Sequence, residues 1–157
     1  MRIPDGPPRR EDLCEFLRQG PSLLVATRDE RMVVELTRCA AAEVGADGRV
    51  HVAIPLPEGR RTLANIALTS TIALSAAQPT DYVTVQLKGT DARRVEWPEQ
   101  ERVVQAHRAR FAAVLSSIGM KQGVALLSWS ECVAVVFTPL QIFNQTPGPD
   151  AGLELMP

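Results

Sequence analysis

The chain has 157 residues, of which 45% are hydrophobic and 22% charged, with a formal net charge of −1, the profile of one globular domain with a single core. So small a net charge argues against a global field that would recruit nucleic acid or an anionic membrane surface. An aromatic content of 4% argues against a stacking platform for single-stranded nucleic acid, and the longest apolar runs fall short of the ~20 residues of a membrane span.

Residues 1–10, rich in Pro, Gly and Arg, read as a flexible lead-in without the apolar centre of a signal peptide. The stretch REDLCEFLRQGP predicts a short helix with Leu13, Phe16 and Leu17 on one face and Gly20-Pro21 as its stop. SLLVATRD predicts an apolar strand, and RMVVELTRCAAAEV one or two more. In ADGRVHVAIP, Asp47-Gly48 marks a hairpin turn, Val50, Val52 and Ile54 alternate onto one face, and Pro55 and Pro57 close the strand.

A short helix is expected over Thr62–Thr69, with Leu63, Ile66 and Ala67 inward. TIALSAAQP and DYVTVQLKG predict two further strands; in the second, Val83, Val85 and Leu87 face one way and Thr84, Gln86 and Lys88 the other. DARRVEW predicts a continuing strand. Pro98 to Ile118 predicts the longest helix, with Val104, Phe111, Leu115 and Ile118 as its apolar stripe and Gly119 as its end. ECVAVVFTP is apolar on both faces, as in a buried strand. Residues 139–157 form a C-terminal tail, within which Pro147 and Pro149 keep TPGPDAG out of helix or central strand. Strands in hairpin order, without regular βαβ alternation, predict a mainly β fold over residues 1–157: a small antiparallel barrel with helices packed outside.

The segment PLPEGRRTLANIAL places Arg60 and Arg61 where a helix begins. A helix start carries free N–H groups and partial positive charge, so it suits an anion and repels a cation. Two guanidinium groups there are either solvated or face something negative, and a phosphate monoester fits guanidinium geometry best. The Thr62 hydroxyl would complete such a cradle.

The order strand, turn, Arg-rich helix start, strand, then TVQLKG resembles the pyridoxamine 5′-phosphate oxidase-like family of FMN-binding split β-barrels, chiefly over Pro21–Gly89. FTPLQIFNQTPGPDAG is similar to the tail of uncharacterised members. The resemblance implies an FMN-binding homodimer with the cofactor at the interface, acting as a flavin-dependent oxidoreductase with NAD(P)H as a candidate donor. It implies that Arg60, Arg61 and Thr62 hold the phosphate. Thr84 then stands at the family glutamine, with Gln86 and Lys88 toward the flavin ring. Arg38 lies near the family's first phosphate arginine after a one-residue shift, and Ala41 or Ala42 occupies the place of the lysine that follows. The tail carries no Arg or His for a second phosphate, which argues against vitamin B6 oxidation. Phe143, Asn144 and Gln145 would border the ring if the tail crosses to a neighbouring subunit.

Other readings stay open. A flavin-binding module without turnover needs the same residues. A haem-binding barrel, as in related split barrels, would use His107 as axial ligand; His51 is expected on an exposed strand face. Cys14, Cys39 and Cys132 lack metal or redox spacing and read as free thiols of a cytoplasmic protein. Trp97 and Trp129 read as packing or interface anchors.

Overall fold

The computed structural model describes residues 10–123 and 131–155. The expectations for residues 1–9 and for Trp129 lie outside them.

The first helix, α1 (Arg10–Arg18), buries Leu13, Phe16 and Leu17, the face its spacing predicts. Ten strands follow among the described residues: β1 (Ser22–Arg28), β2 (Val34–Arg38), β3 (Ala41–Val44), β4 (Val50–Leu56), β5 (Ile72–Ala77), β6 (Thr84–Gly89), β7 (Arg93–Arg94), β8 (Glu131–Phe137), β9 (Gln141–Asn144) and β10 (Glu154–Leu155). Helix α2 (Arg60–Thr69) lies between β4 and β5, and α3 (Gln100–Ser117) follows β7. One antiparallel sheet has the order β10-β9-β6-β5-β1-β2 and the other β3-β4-β8-β7.

The two inner faces share one core. Val25, Leu74 and Leu87 meet Val50, Val52, Val135 and Phe137, with Leu63 and Ile66 of α2 among them. Each such side chain contributes about 1.5–3 kcal/mol by leaving water. The chain changes sheets between two neighbouring residues: Cys39 N–H donates to Leu23 O at 3.0 Å in the first sheet, and Ala40 N–H to Ala53 O at 2.9 Å in the second. It returns past Gly89, where an added Cβ would lie 2.6 Å from both Phe137 Cδ2 and Thr138 O. Only glycine allows that approach.

Several expectations are corrected in detail. Pro55 does not end β4 but lies within it, opposite Cys132. Strand β3 pairs with β4 no further than Ala41↔Ala53, so on that side the proline has no strand to donate to. Helix α2 begins at Arg60, and Ala67 is exposed while Thr62 and Asn65 are buried. DARRVEW does not prolong β6: the chain crosses to the other sheet and forms only the two-residue β7. Ile118 falls after α3 and is 41% exposed. His51 is half-buried with its ring 5.3 Å from that of Trp97. The tail contains two strands of the six-stranded sheet: β9 pairs with β6 and β10 folds back on β9.

Candidate functional site

Alternation divides the candidate residues between two faces of the six-stranded sheet. Thr37 and Glu35 share the inner side of edge strand β2, and Arg38 takes the outer side. The helix-start group lies on the inner side. Thr62 is fully buried, and its hydroxyl meets the Thr37 hydroxyl at 2.6 Å. Three residues on, Asn65 Nδ2 donates to Thr27 Oγ1 at 3.2 Å. The two contacts anchor α2 to β1 and β2 through hydroxyls, and they turn the Thr62 side chain into the protein and away from the expected cradle. The signal for them was present in the sequence: Thr27 and Thr37 stand at inward positions of their strands, where a polar residue needs a partner.

Arg60 and Arg61 stay on the surface at the start of α2. Gly59 caps the helix without a side-chain bond, and no acidic residue occupies the first turn. Among the described residues the Arg61 and Thr62 N–H groups have no backbone acceptor, as expected of a helix start. An added Cβ at Gly59 would lie 2.2 Å from Ile54 Cγ2, so the turn that presents these groups requires glycine. Arg61 Nε lies 3.4 Å from Glu35 Oε2, and its side chain is 70% exposed; a carboxylate thus already balances one of the two cations.

The second group lies on the outer face. Arg38, Leu24, Ser75, Gln86 and Phe143 form one row across five strands. Three strand spacings separate Arg38 from Gln86, about 14 Å. Gln86 Nε2 donates to Ser75 Oγ at 3.4 Å, and Arg38 Nη1 to Ser22 Oγ at 3.3 Å. Lys88 Nζ sits 4.6 Å from the Phe143 ring centroid, a cation–π contact. Thr84 lies at the far end of β6, its hydroxyl donating to Tyr82 O at 2.9 Å. A depression of about 440 Å³ opens on this face among Ala26, Arg28, Ala73, Lys88, Leu140 and Gln141. It is apolar on its floor and cationic at its rim.

The nucleophilic and metal-binding alternatives find little here. Burial pushes the Cys39 thiol far up, and burial together with Glu101, Glu58 and Glu131 pushes Cys132 to about 11; both stay protonated and poorly nucleophilic. No metal-binding group of His, Cys, Asp or Glu exists among the described residues. No helix among them is long and apolar enough to cross a membrane. His107 is buried on α3; burial, aided by Arg110 and partly offset by the Pro21 backbone, depresses its pKa to about 4.

No protein-family model matches the sequence, and no curated protein matches it either. Solved structures do match. HupZ of Group A Streptococcus superposes with a TM-score of 0.56 at 15% identity, over 90% of this chain and 98% of that one. A Clostridium acetobutylicum protein related to general stress protein 26, of the pyridoxinephosphate oxidase family, gives 0.54 at 11% identity, over 94% and 93%. HutZ, the heme storage protein of Vibrio cholerae, gives 0.53 at 14% identity, over 92% and 95%. Two antiparallel sheets, three flanking helices and these neighbours agree: the chain has the split β-barrel fold of the pyridoxamine 5′-phosphate oxidase-like proteins.

Proposed function

We propose that the protein binds FMN as a homodimer and uses it as an oxidoreductase. The observation that carries this reading is the start of α2, where exposed Arg60 stands beside free N–H groups in a turn that Gly59 keeps open. These groups suit a phosphate dianion. The outer sheet face supplies the complementary half, with Gln86 and Lys88 as donors beside an apolar depression suited to a flat ring. When bound, FMN supplies hydride transfer, with NAD(P)H as a candidate donor. Lys88 and Gln86 would stabilise negative charge on the reduced ring, and Phe143 would hold the Lys88 ammonium near it.

The two halves lie on opposite sides of edge strand β2. One cofactor reaches both groups by crossing that edge, or by taking its phosphate from one protomer and its ring contacts from the other. The second route favours a dimer built on the outer sheet face, which exposes Val34 by 66% and Leu36 by 60%. Glu35 beside Arg61 opposes a phosphate, so Arg60 carries the larger share of binding. Titrating FMN into apoprotein tests this: Arg60→Ala should weaken binding about tenfold or more, or ~1.4 kcal/mol, and Arg61→Ala less. Unchanged affinity in the double variant would remove the phosphate site.

A haem-binding reading draws on the Vibrio cholerae neighbour. The two histidines both stand away from the outer face of the six-stranded sheet: His51 is on β4 and His107 on α3. A Soret band after haem addition, lost in His107→Ala, would favour this reading; a flavin spectrum in the purified protein favours the first. A yellow protein that leaves NAD(P)H unoxidised would be a binding module without that turnover.

A further inference from the structure

A second cavity, of about 260 Å³, lies away from both candidate groups, between α1, the edge strand β3 and α3. Its α3 wall is formed by Arg102, Ala106 and Arg110, spaced by four residues along one line of the helix. The two guanidinium-bearing residues stand about 12 Å apart along the axis, and the alanine between them leaves room that a longer side chain would fill. Across the gap, Arg18 closes the last turn of α1 beside Cys14 and Leu17. Among the described residues, none of these three arginines is joined to a carboxylate. Glu43 is the one acidic residue of the lining, so three positive charges against one negative leave an excess of two.

The backbone and the floor add to this field. Gly45 N–H donates to Arg49 O, which sets the alternation of the β3–β4 ladder. By that alternation the N–H groups of Ala42 and Val44 point away from β4, toward the cavity side. Strand β3 is the edge of its sheet, so no further strand takes them. His107 also lines the cavity, and burial keeps it neutral. It therefore adds no competing charge.

We propose that this cavity is a binding site for a compact organic oxyanion with two or more negative charges, such as a phosphomonoester or a polycarboxylate. Arg18, Arg102 and Arg110 hold the anionic groups from both sides, and Leu17 and Val44 cover the carbon skeleton. The site is separate from the start of α2 and does not depend on flavin binding.

Inorganic phosphate and citrate are the probes, used on the full chain in an Arg60→Ala/Arg61→Ala background so that the other cationic site is silent. With two histidines in the chain, long-range ¹H–¹⁵N spectra report on location. At least one probe should shift the His107 ring signals and leave His51 in place. The affinity should fall about tenfold (~1.4 kcal/mol) on Arg102→Gln or Arg110→Gln, and weaken as salt rises. Ala106→Leu keeps every charge and fills the gap, so it should abolish binding even if an arginine variant fails to fold. Silence from both probes at millimolar concentration overturns the proposal. So does binding that shifts only His51 or survives Ala106→Leu.

Discussion

The two sheets treat their outer faces differently. On the four-stranded sheet, small side chains let α3 pack down: Ala41 and Ala53 lie fully buried beneath Val103 and Val104, with Trp97 and Cys132 at the margin. On the six-stranded sheet the corresponding positions are just as small, Ala26, Ala73, Ser75 and Ala77, yet they remain half-buried, and Val34 and Leu36 stand in solvent. Small residues on a strand face allow close approach by another surface. The four-stranded sheet receives that surface from its own chain, whereas no helix among the described residues covers the outer face of the six-stranded sheet.

A matched pair of substitutions breaks or sharpens this contrast most strongly. Ala53→Leu forces extra methylenes beneath α3 and should cost about 1–3 kcal/mol. Ala73→Leu on the bare face should change the stability of the single chain by no more than about 0.5 kcal/mol. Urea unfolding of both variants measures the difference. Equal losses would mean that the bare face is as filled as the covered one.

How much of this was legible in the sequence follows from which physical signals are local. The alternation of Val50, Val52 and Ile54, the spacing of Leu13, Phe16 and Leu17, and the Asp47-Gly48 turn each act within a few residues, and all three hold. Which face of a sheet a helix covers depends on contacts between distant segments, and no short pattern encodes it. Arg38 and Arg61 thus read as members of one phosphate clamp, although β2 places Arg38 on the opposite side from Glu35, the partner of Arg61. Thr62 reads as a ligand-facing hydroxyl because its partner Thr37 lies 25 residues earlier. That β9 belongs to the sheet was not legible in the tail, because its pairing partner, β6, precedes it by more than fifty residues.

The covered side also contains a pH-sensitive contact. His107 packs beneath the chain at Pro21, with its pKa held near 4 against an ordinary 6.5. A depressed histidine binds fewer protons folded than unfolded, so its contribution is fully present above pH 6.5 and is lost as pH falls toward 4. From pH 7 to pH 5 the loss should be about 2 kcal/mol, seen as a falling urea midpoint. His107→Gln should flatten that slope while lowering stability at pH 7. A slope that survives the substitution would assign it to other groups.

The smallest effect on the single chain tests the largest claim about the bare face. Leu36 is 60% exposed on an edge strand and points outward beside Ala26. Replacing it by aspartate removes little buried surface, so the unfolding free energy of the isolated chain should move by no more than about 0.5 kcal/mol. If two copies meet through this face, the same substitution places a carboxylate from each copy in a dry apolar interface, where an unpaired charge is costly to bury. Sedimentation should then show Leu36→Asp as monomer at concentrations where the parent chain is a dimer. Flavin affinity should fall with it, because the ring contacts and the phosphate contacts would no longer be joined across two subunits. A variant that still dimerises and still binds flavin would move the interface elsewhere. The bare face would then be a ligand surface of the single chain, and the cofactor would have to cross the edge of β2 to reach both groups.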